Sequence, residues 1–300
     1  MNAAHIDLPQ RIESPGLRML RQVFRIRSAQ AGATILLLLI LACLAAPLLT
    51  DKDPNEFNPS QTLKPPSRDA PMGTDGIGRD AFARFLYGGR LSLRVGLIAI
   101  AIGAVVGITL GLISGYFGGW LDALISWFTD ILLAFPDLLL ALAIIAILGP
   151  GIVNAMFAVG IAFIPSFMRL TRAGVLSARE LSYVEATRAL GGSNFRILFY
   201  HILPNTLRTL LVLATLGIGS AILAGAALSF LGLGAQPPTP EWGAMLNAGQ
   251  KFVRQGWWLT VFPGLGIFLT ILSINLIGDA LSDAVAGTSA GPMNAQRGQK

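Results

Sequence analysis

The chain has 300 residues, 53% of them hydrophobic and 13% charged, against about 25% charged in an ordinary soluble domain. Its 16 acids and 22 bases leave long stretches with neither, and more apolar sequence than one or two globular cores need. Disordered, fibrous and disulfide-built proteins are excluded, and an integral membrane protein remains. The formal charge of +6 would suggest nucleic acid in a soluble chain. In a membrane protein such an excess more often reflects topology, because Lys and Arg collect on the cytoplasmic side, so no nucleic-acid partner is expected. Cys43, the single cysteine, lies in an apolar run, which rules out a disulfide within the chain.

Residues 1–30 form a basic arm, with Arg11, Arg18, Arg21, Arg25 and Arg27 against Asp7 and Glu13. The first apolar run begins near Ala31, too deep for an ordinary signal peptide, and reads as an uncleaved span over 31–50. A crossing needs about 20 mostly apolar residues. That criterion predicts a second span at 91–115, a third within 121–148, a fourth at 152–171, a fifth at 206–233 and a sixth at 259–283. Asp122, Asp130 and Asp137 interrupt the third, and Pro136 should kink it. Five spans is the alternative, if the third and fourth form a hairpin.

Residues 51–90 balance six acids with six bases, whereas 172–204 carry Arg172, Arg179, Arg188 and Arg196 against two acids. The base excess places the arm and the 172–204 stretch in the cytoplasm. Four spans separate them, and an even number returns the chain to the same side. With six spans, the 51–90 segment and the 234–258 loop face the periplasm, and a short cytoplasmic tail, 286–300, follows a five-helix core at 91–285. Within that core Gly103, Gly107 and Gly111 form a ladder of small residues at every fourth position, which lets helix backbones approach closely in lipid.

Residues 180–204 are too polar to span. Good helix formers run to Leu190, Gly191 and Gly192 supply the positive φ that ends a helix, and Ser193 can cap a second one. There Phe195, Leu198, Phe199 and Ile202 stand on one apolar stripe, and Pro204 ends or bends the helix where the next span begins. Physics alone leaves two readings: an amphipathic loop on the lipid headgroups, or an elbow for a partner.

Glu185-Ala186-Thr187, then Gly191, then Leu203-Pro204 resembles the EAA motif of bacterial ABC-transporter permeases. Thr187 stands where the motif has Ala and His201 where it has Ile; neither departure alters the helix–Gly–helix pattern. Three more segments resemble the dipeptide/oligopeptide/nickel permease family: Gly73-Thr74-Asp75 with Gly78-Arg79-Asp80 and Tyr87–Leu93, Ala235–Gly243, and Asn275–Asp283. The likeness covers nearly the whole chain and is to the second permease subunit in the dipeptide branch of that family.

The resemblance implies an all-α, six-span bundle of the type I importer kind, paired with a homologous permease. Two cytoplasmic ATPase subunits, which hold ATP and Mg, and a periplasmic substrate-binding protein complete such an assembly in the bacterial inner membrane. It implies ATPase coupling through Glu185, Ala186, Thr187, Arg188 and Gly191, and transport of dipeptides, with oligopeptides, glutathione or nickel chelates as alternatives. The 234–258 loop, with Glu241 and Trp242, has a docking reading for the binding protein and an interfacial-belt reading for its tryptophans.

No Gly-x4-Gly-Lys-Ser/Thr run exists in the chain, and His5 and His201 are its two histidines. Neither a phosphate-cradling loop nor a zinc-protease site is therefore expected, nor any cofactor or metal bound by this chain. His201 reads as a surface or interface residue. Asp130 and Asp137, seven apart and so nearly on one helix face, are candidates for the substrate path, where a carboxylate could meet a peptide's amino end. The other reading is a helix contact near the interface. Asp279 and Asp283 read as cytoplasmic surface. A secondary transporter or channel is the competing class; those commonly carry internal repeats, and none is evident. A membrane anchor needs less bundle than this.

Overall fold

The computed structural model describes Met19 and residues 21–289. The arm through residue 18 and the tail beyond 289, with the cytoplasmic placement expected of both, lie outside the described residues. Among the described residues no strand forms; Thr74 and Asp80 make one isolated antiparallel bridge.

Helix α1 (Arg27–Leu44) is followed by the short turn Ala46–Leu49. Helix α2 (Ala81–Phe117) starts earlier than the apolar run because Asp80 caps it, its carboxylate accepting from Ala83 N at 2.8 Å. Tyr87–Leu93 is therefore helix rather than external segment. Gly118 and Gly119, at φ +63° and +59°, turn the chain into α3 (Gly119–Leu133).

The third span is not one helix. α3 and α4 (Asp137–Leu148) meet at 95° across a break at residues 134–136. Pro136 has no N–H to continue α3, and it sits extended at φ −55°, ψ 137°. Asp130 and Asp137 thus belong to different helices and share no face. Among the described residues five helices are long and apolar enough to cross a membrane, or six if this bent pair counts as one span.

Helix α5 (Ile152–Ala178) packs along α2 through the glycine ladder. A Cβ placed at Gly103, Gly107 or Gly111 would lie 3.0, 2.6 or 2.6 Å from the backbone oxygens of Gly160, Ile164 and Met168. These two backbones touch directly. After the short α6 (Ser182–Ala189), a turn at Asn194–Arg196 leads through a π-helical turn, Ile197–Ile202, into α7 (Leu203–Phe230). Pro204 does not end the helix: the wider π winding ahead of it absorbs the missing N–H and the ring. The same winding splits the expected stripe, burying Leu198 and Ile202 and leaving Phe195 and Phe199 exposed.

Helices α8 (Trp242–Gly249) and α9 (Trp258–Ser289) complete the described residues. The central core joins α2, α4, α5 and α7 through Ile100, Ile145, Val159, Phe167, Leu210 and Leu228. At the end away from α6, the segment before α2 is pinned by Trp258, whose indole N–H donates to Thr74 O at 3.1 Å. There too Lys52 pairs with Asp80 at 2.9 Å.

Candidate functional site: the elbow and the charged face beside it

The elbow is built on the ends of three helices. Arg179 donates to Gly115 O at 3.1 Å and Tyr116 to Asn194 Oδ1 at 2.7 Å, so α2, α5 and the start of the α7 rod meet here. Helix α6 carries Glu185 in its first turn and Arg188 in its last, each matched to the helix dipole. It ends in a paired cap: Gly192 N donates to Thr187 O at 2.9 Å and Gly191 N to Arg188 O at 3.0 Å. Gly191 takes φ +79° to make that cap. Ser193 then caps the next turn, accepting from Arg196 N at 3.4 Å.

Glu185, Ala186, Arg188 and Gly191 are exposed, and Leu190 presents 88% of its surface. Thr187 is half-buried and donates to its own helix at Tyr183 O, 2.8 Å away, so its hydroxyl changes little where the motif has Ala. One residue of α6 points inward. Val184 is 0% exposed and enters a cluster of Leu112, Val175, Ala178, Ile197, Leu198 and Ile202. The elbow therefore offers an outer face of mixed charge and a single apolar anchor into α2, α5 and α7. His201 lies beside Tyr183, ring centroids 6.0 Å apart, and is not fully buried.

Next to the elbow, α3 and α5 are joined by ion pairs. Arg172 grips Asp122 with two bonds of 2.6 and 2.7 Å, and Ser114 and Ser126 also donate to that carboxylate. Arg169 meets Asp130 at 2.7 Å. Asp130 is thus in a helix–helix contact and also open to its surroundings. Asp137 is exposed at the start of α4, where the helix dipole favours a carboxylate. The structure does not bring it together with Asp130. Arg169 is not among the expected site residues and Arg172 entered only through the basic 172–204 stretch, although two arginines three residues apart in an apolar helix are a signal in themselves.

Glu241 and Trp242 are not on a docking surface. Glu241 is 1% exposed; it caps α8 by accepting from Ala244 N at 2.9 Å and receives Ser92 Oγ at 2.7 Å. Trp242 is fully buried, stacked on Phe85 and donating to Phe85 O at 2.9 Å. Both lock α8 onto α2. Trp258 is likewise buried, and of the three tryptophans in this region Trp257 alone is exposed. Among the described residues no group of three His, Cys, Asp or Glu side chains could hold a metal ion.

Residues 107–287 match the family of binding-protein-dependent transport system inner membrane components, and residues 14–66 match the N-terminal transmembrane domain of oligopeptide transport permease C. A dipeptide transport system permease protein of Alkalihalophilus pseudofirmus is 49% identical over 91% of this chain and 90% of its own. A di/tripeptide permease of Pseudomonas aeruginosa is 43% identical over 95% and 97%. A glutathione permease of Escherichia coli O157:H7 is 43% identical over 95% and 94%. Among solved structures, the inward-facing MetNI methionine ABC transporter shares the fold at a TM-score of 0.54 and 19% identity, over 67% of this chain and 95% of that one. With the matched domain covering more than half its length, the chain belongs to the family of inner-membrane permease components of binding-protein-dependent ABC transporters.

Proposed function

We propose that this chain is one of two paired permease subunits of an ATP-driven importer for short peptides, and that its elbow receives the motion of partner ATPases. The relatives are named for dipeptides, di/tripeptides and glutathione, and all three substrate classes are short peptides with free carboxylates. A periplasmic binding protein delivers the peptide, and a homologous permease supplies the other half of the path. ATP and Mg are held by the ATPases, while this subunit does no chemistry of its own. The Arg-rich elbow lies in the cytoplasm with both termini, following the basic bias of short loops.

One observation carries the coupling reading: an exposed short helix whose sole buried side chain, Val184, is seated among residues of α2, α5 and the α7 rod. A push on α6 reaches three long helices through one packed cluster. Packed elements shift as rigid bodies between discrete arrangements, which is how such a push would rock the bundle. Gly191→Pro tests this, because Pro fixes φ near −65° and removes the N–H that Gly191 gives to Arg188. The expected outcome is a subunit still inserted in the membrane with peptide uptake abolished. Normal ATPase association and uptake in that variant would overturn the reading.

A further inference from the structure

Between α3 and α5 lies a cavity of about 390 Å³ lined by Ser126, Thr129, Asp130, Met168, Arg169 and Arg172. Its volume falls in the range of roughly 300–1,000 Å³ that small-molecule sites occupy. Its walls bring two guanidiniums, one carboxylate and two hydroxyls together inside helices that are otherwise apolar. Ionisable side chains on a helix long and apolar enough to span are expensive against lipid, and they persist where they pair with one another or face a water-filled space.

The two ion pairs here differ in kind. Arg172 and Asp122 form a two-bond grip, and Ser114 and Ser126 add further bonds to the same carboxylate. That pair is closed and joins the helices. Arg169 and Asp130 make a single contact of 2.7 Å, with 59% and 62% of their side chains exposed. Of the five N–H donors of Arg169, one is used, and the rest of its fork is free for a carboxylate. A loosely held, mostly exposed pair on a spanning helix contributes little to packing. Exposure on this scale is costly against lipid, and a water-filled path or a polar partner surface removes that cost.

We infer that this cavity is a peptide subsite in which Arg169 receives the substrate's carboxylate, with Asp130 facing its ammonium end, in a wall that the closed Arg172–Asp122 pair holds in place. This rests on the short-peptide reading above and deepens it. The site is neutral when empty, since Arg169 and Asp130 satisfy each other. A zwitterionic peptide exchanges that one bond for two, and its departure restores it. Passage is then not blocked by an uncompensated charge.

The test uses the complete importer, with its binding protein and ATPases, in liposomes loaded with ATP, and measures uptake of radiolabelled dialanine. Three permeases are compared: wild type, Arg169→Gln, and the reversed pair Asp130→Arg with Arg169→Asp. Reversal keeps an ion pair between α3 and α5 but turns its polarity around. Both variants are expected to assemble and to keep ATP hydrolysis stimulated by the loaded binding protein, while uptake falls at least about tenfold, the worth of one charge-assisted bond. Uptake in the reversed pair within about twofold of wild type would overturn the subsite and leave a structural pair. Loss of assembly in both variants would overturn it too, making the face a subunit interface. Failure of the wild-type importer to take up any peptide would instead refute the short-peptide reading, and with it the subsite.

Discussion

Ser92 Oγ donates to Glu241 Oε1 at 2.7 Å across 149 residues of sequence, and both side chains are buried. The other carboxylate oxygen caps α8 at Ala244 N, while Ser92 Oγ also accepts from Trp242 N at 3.1 Å. One carboxylate thus fixes α8 to α2 and sets Trp242 against Phe85. Glu241→Ala removes the cap, at a cost of about 1 kcal/mol, and strips a buried hydroxyl of its acceptor, at about 1–3 kcal/mol. The expected outcome is a clearly lower midpoint in thermal unfolding of the purified subunit, with little change in uptake per folded molecule. An unchanged midpoint would show that the lock contributes nothing.

The glycine ladder makes a graded prediction. At Gly107 a new Cβ would meet Ile164 O at 2.6 Å and Phe167 Cβ at 2.6 Å, so α2 and α5 must separate. At Gly219 the nearest atom is the Asn275 side-chain oxygen at 3.6 Å, an ordinary contact. Gly107→Ala is therefore expected to destabilise the bundle, in the range of about 1–3 kcal/mol for overpacking. Gly219→Ala should be neutral or stabilising by up to about 1 kcal/mol, because Ala favours the helix. Unfolding of the two variants side by side in detergent decides it, and equal effects would mean that the contact at Gly107 relaxes freely.

Much of this arrangement is legible in the sequence. Apolar length marks α1, α5, α7 and α9, because each must present about 20 apolar residues to a bilayer. Fourfold glycine spacing marks the contact between α2 and α5, and the pair Gly191-Gly192 after a run of helix formers marks the elbow. What was not legible depends on direction and on distant partners. An apolar run carries no bearing, so the 95° turn at Pro136 cannot be read from hydropathy, and two aspartates seven apart looked like neighbours. Glu241 and Trp242 sit in a polar, Pro-rich loop that resembles surface. Their burial follows from Ser92 and Phe85, about 150 residues away. Arg169 and Arg172 become a site only when α3 supplies Asp130 and Asp122, 39 and 50 residues earlier.

The grip of Arg172 on Asp122 should behave as a unit. Removing one partner leaves a charge within the bundle without its counter-ion, whereas removing both leaves none. Arg172→Leu is expected to lower the stability of the subunit more than the double variant Asp122→Asn with Arg172→Leu does. The coupling should be about 1–3 kcal/mol for two residues in direct contact. A double-mutant cycle of chemical unfolding measures it. Additive losses would mean that the two side chains act separately and that Ser114 and Ser126 alone satisfy the carboxylate.

Val184 offers the sharpest separation between holding the elbow and moving it. Its side chain is the single apolar peg between α6 and the cluster of Leu112, Val175, Ala178, Ile197, Leu198 and Ile202. Val184→Ala removes two methyl groups and costs about 1–2 kcal/mol by the scale of buried methylenes, little enough for the subunit to fold. The outer face, with Glu185, Ala186 and Arg188, is untouched, so ATPase binding should persist. What should fall is the transmission of motion, because a looser peg lets α6 tilt without carrying the long helices along. The expected result in the assembled importer is ATP hydrolysis near the wild-type rate with several-fold less peptide taken up per ATP. If hydrolysis and uptake fall together, Val184 positions the elbow for binding; if neither falls, the push travels through the chain ends at Arg179 and Asn194 instead of through this cluster.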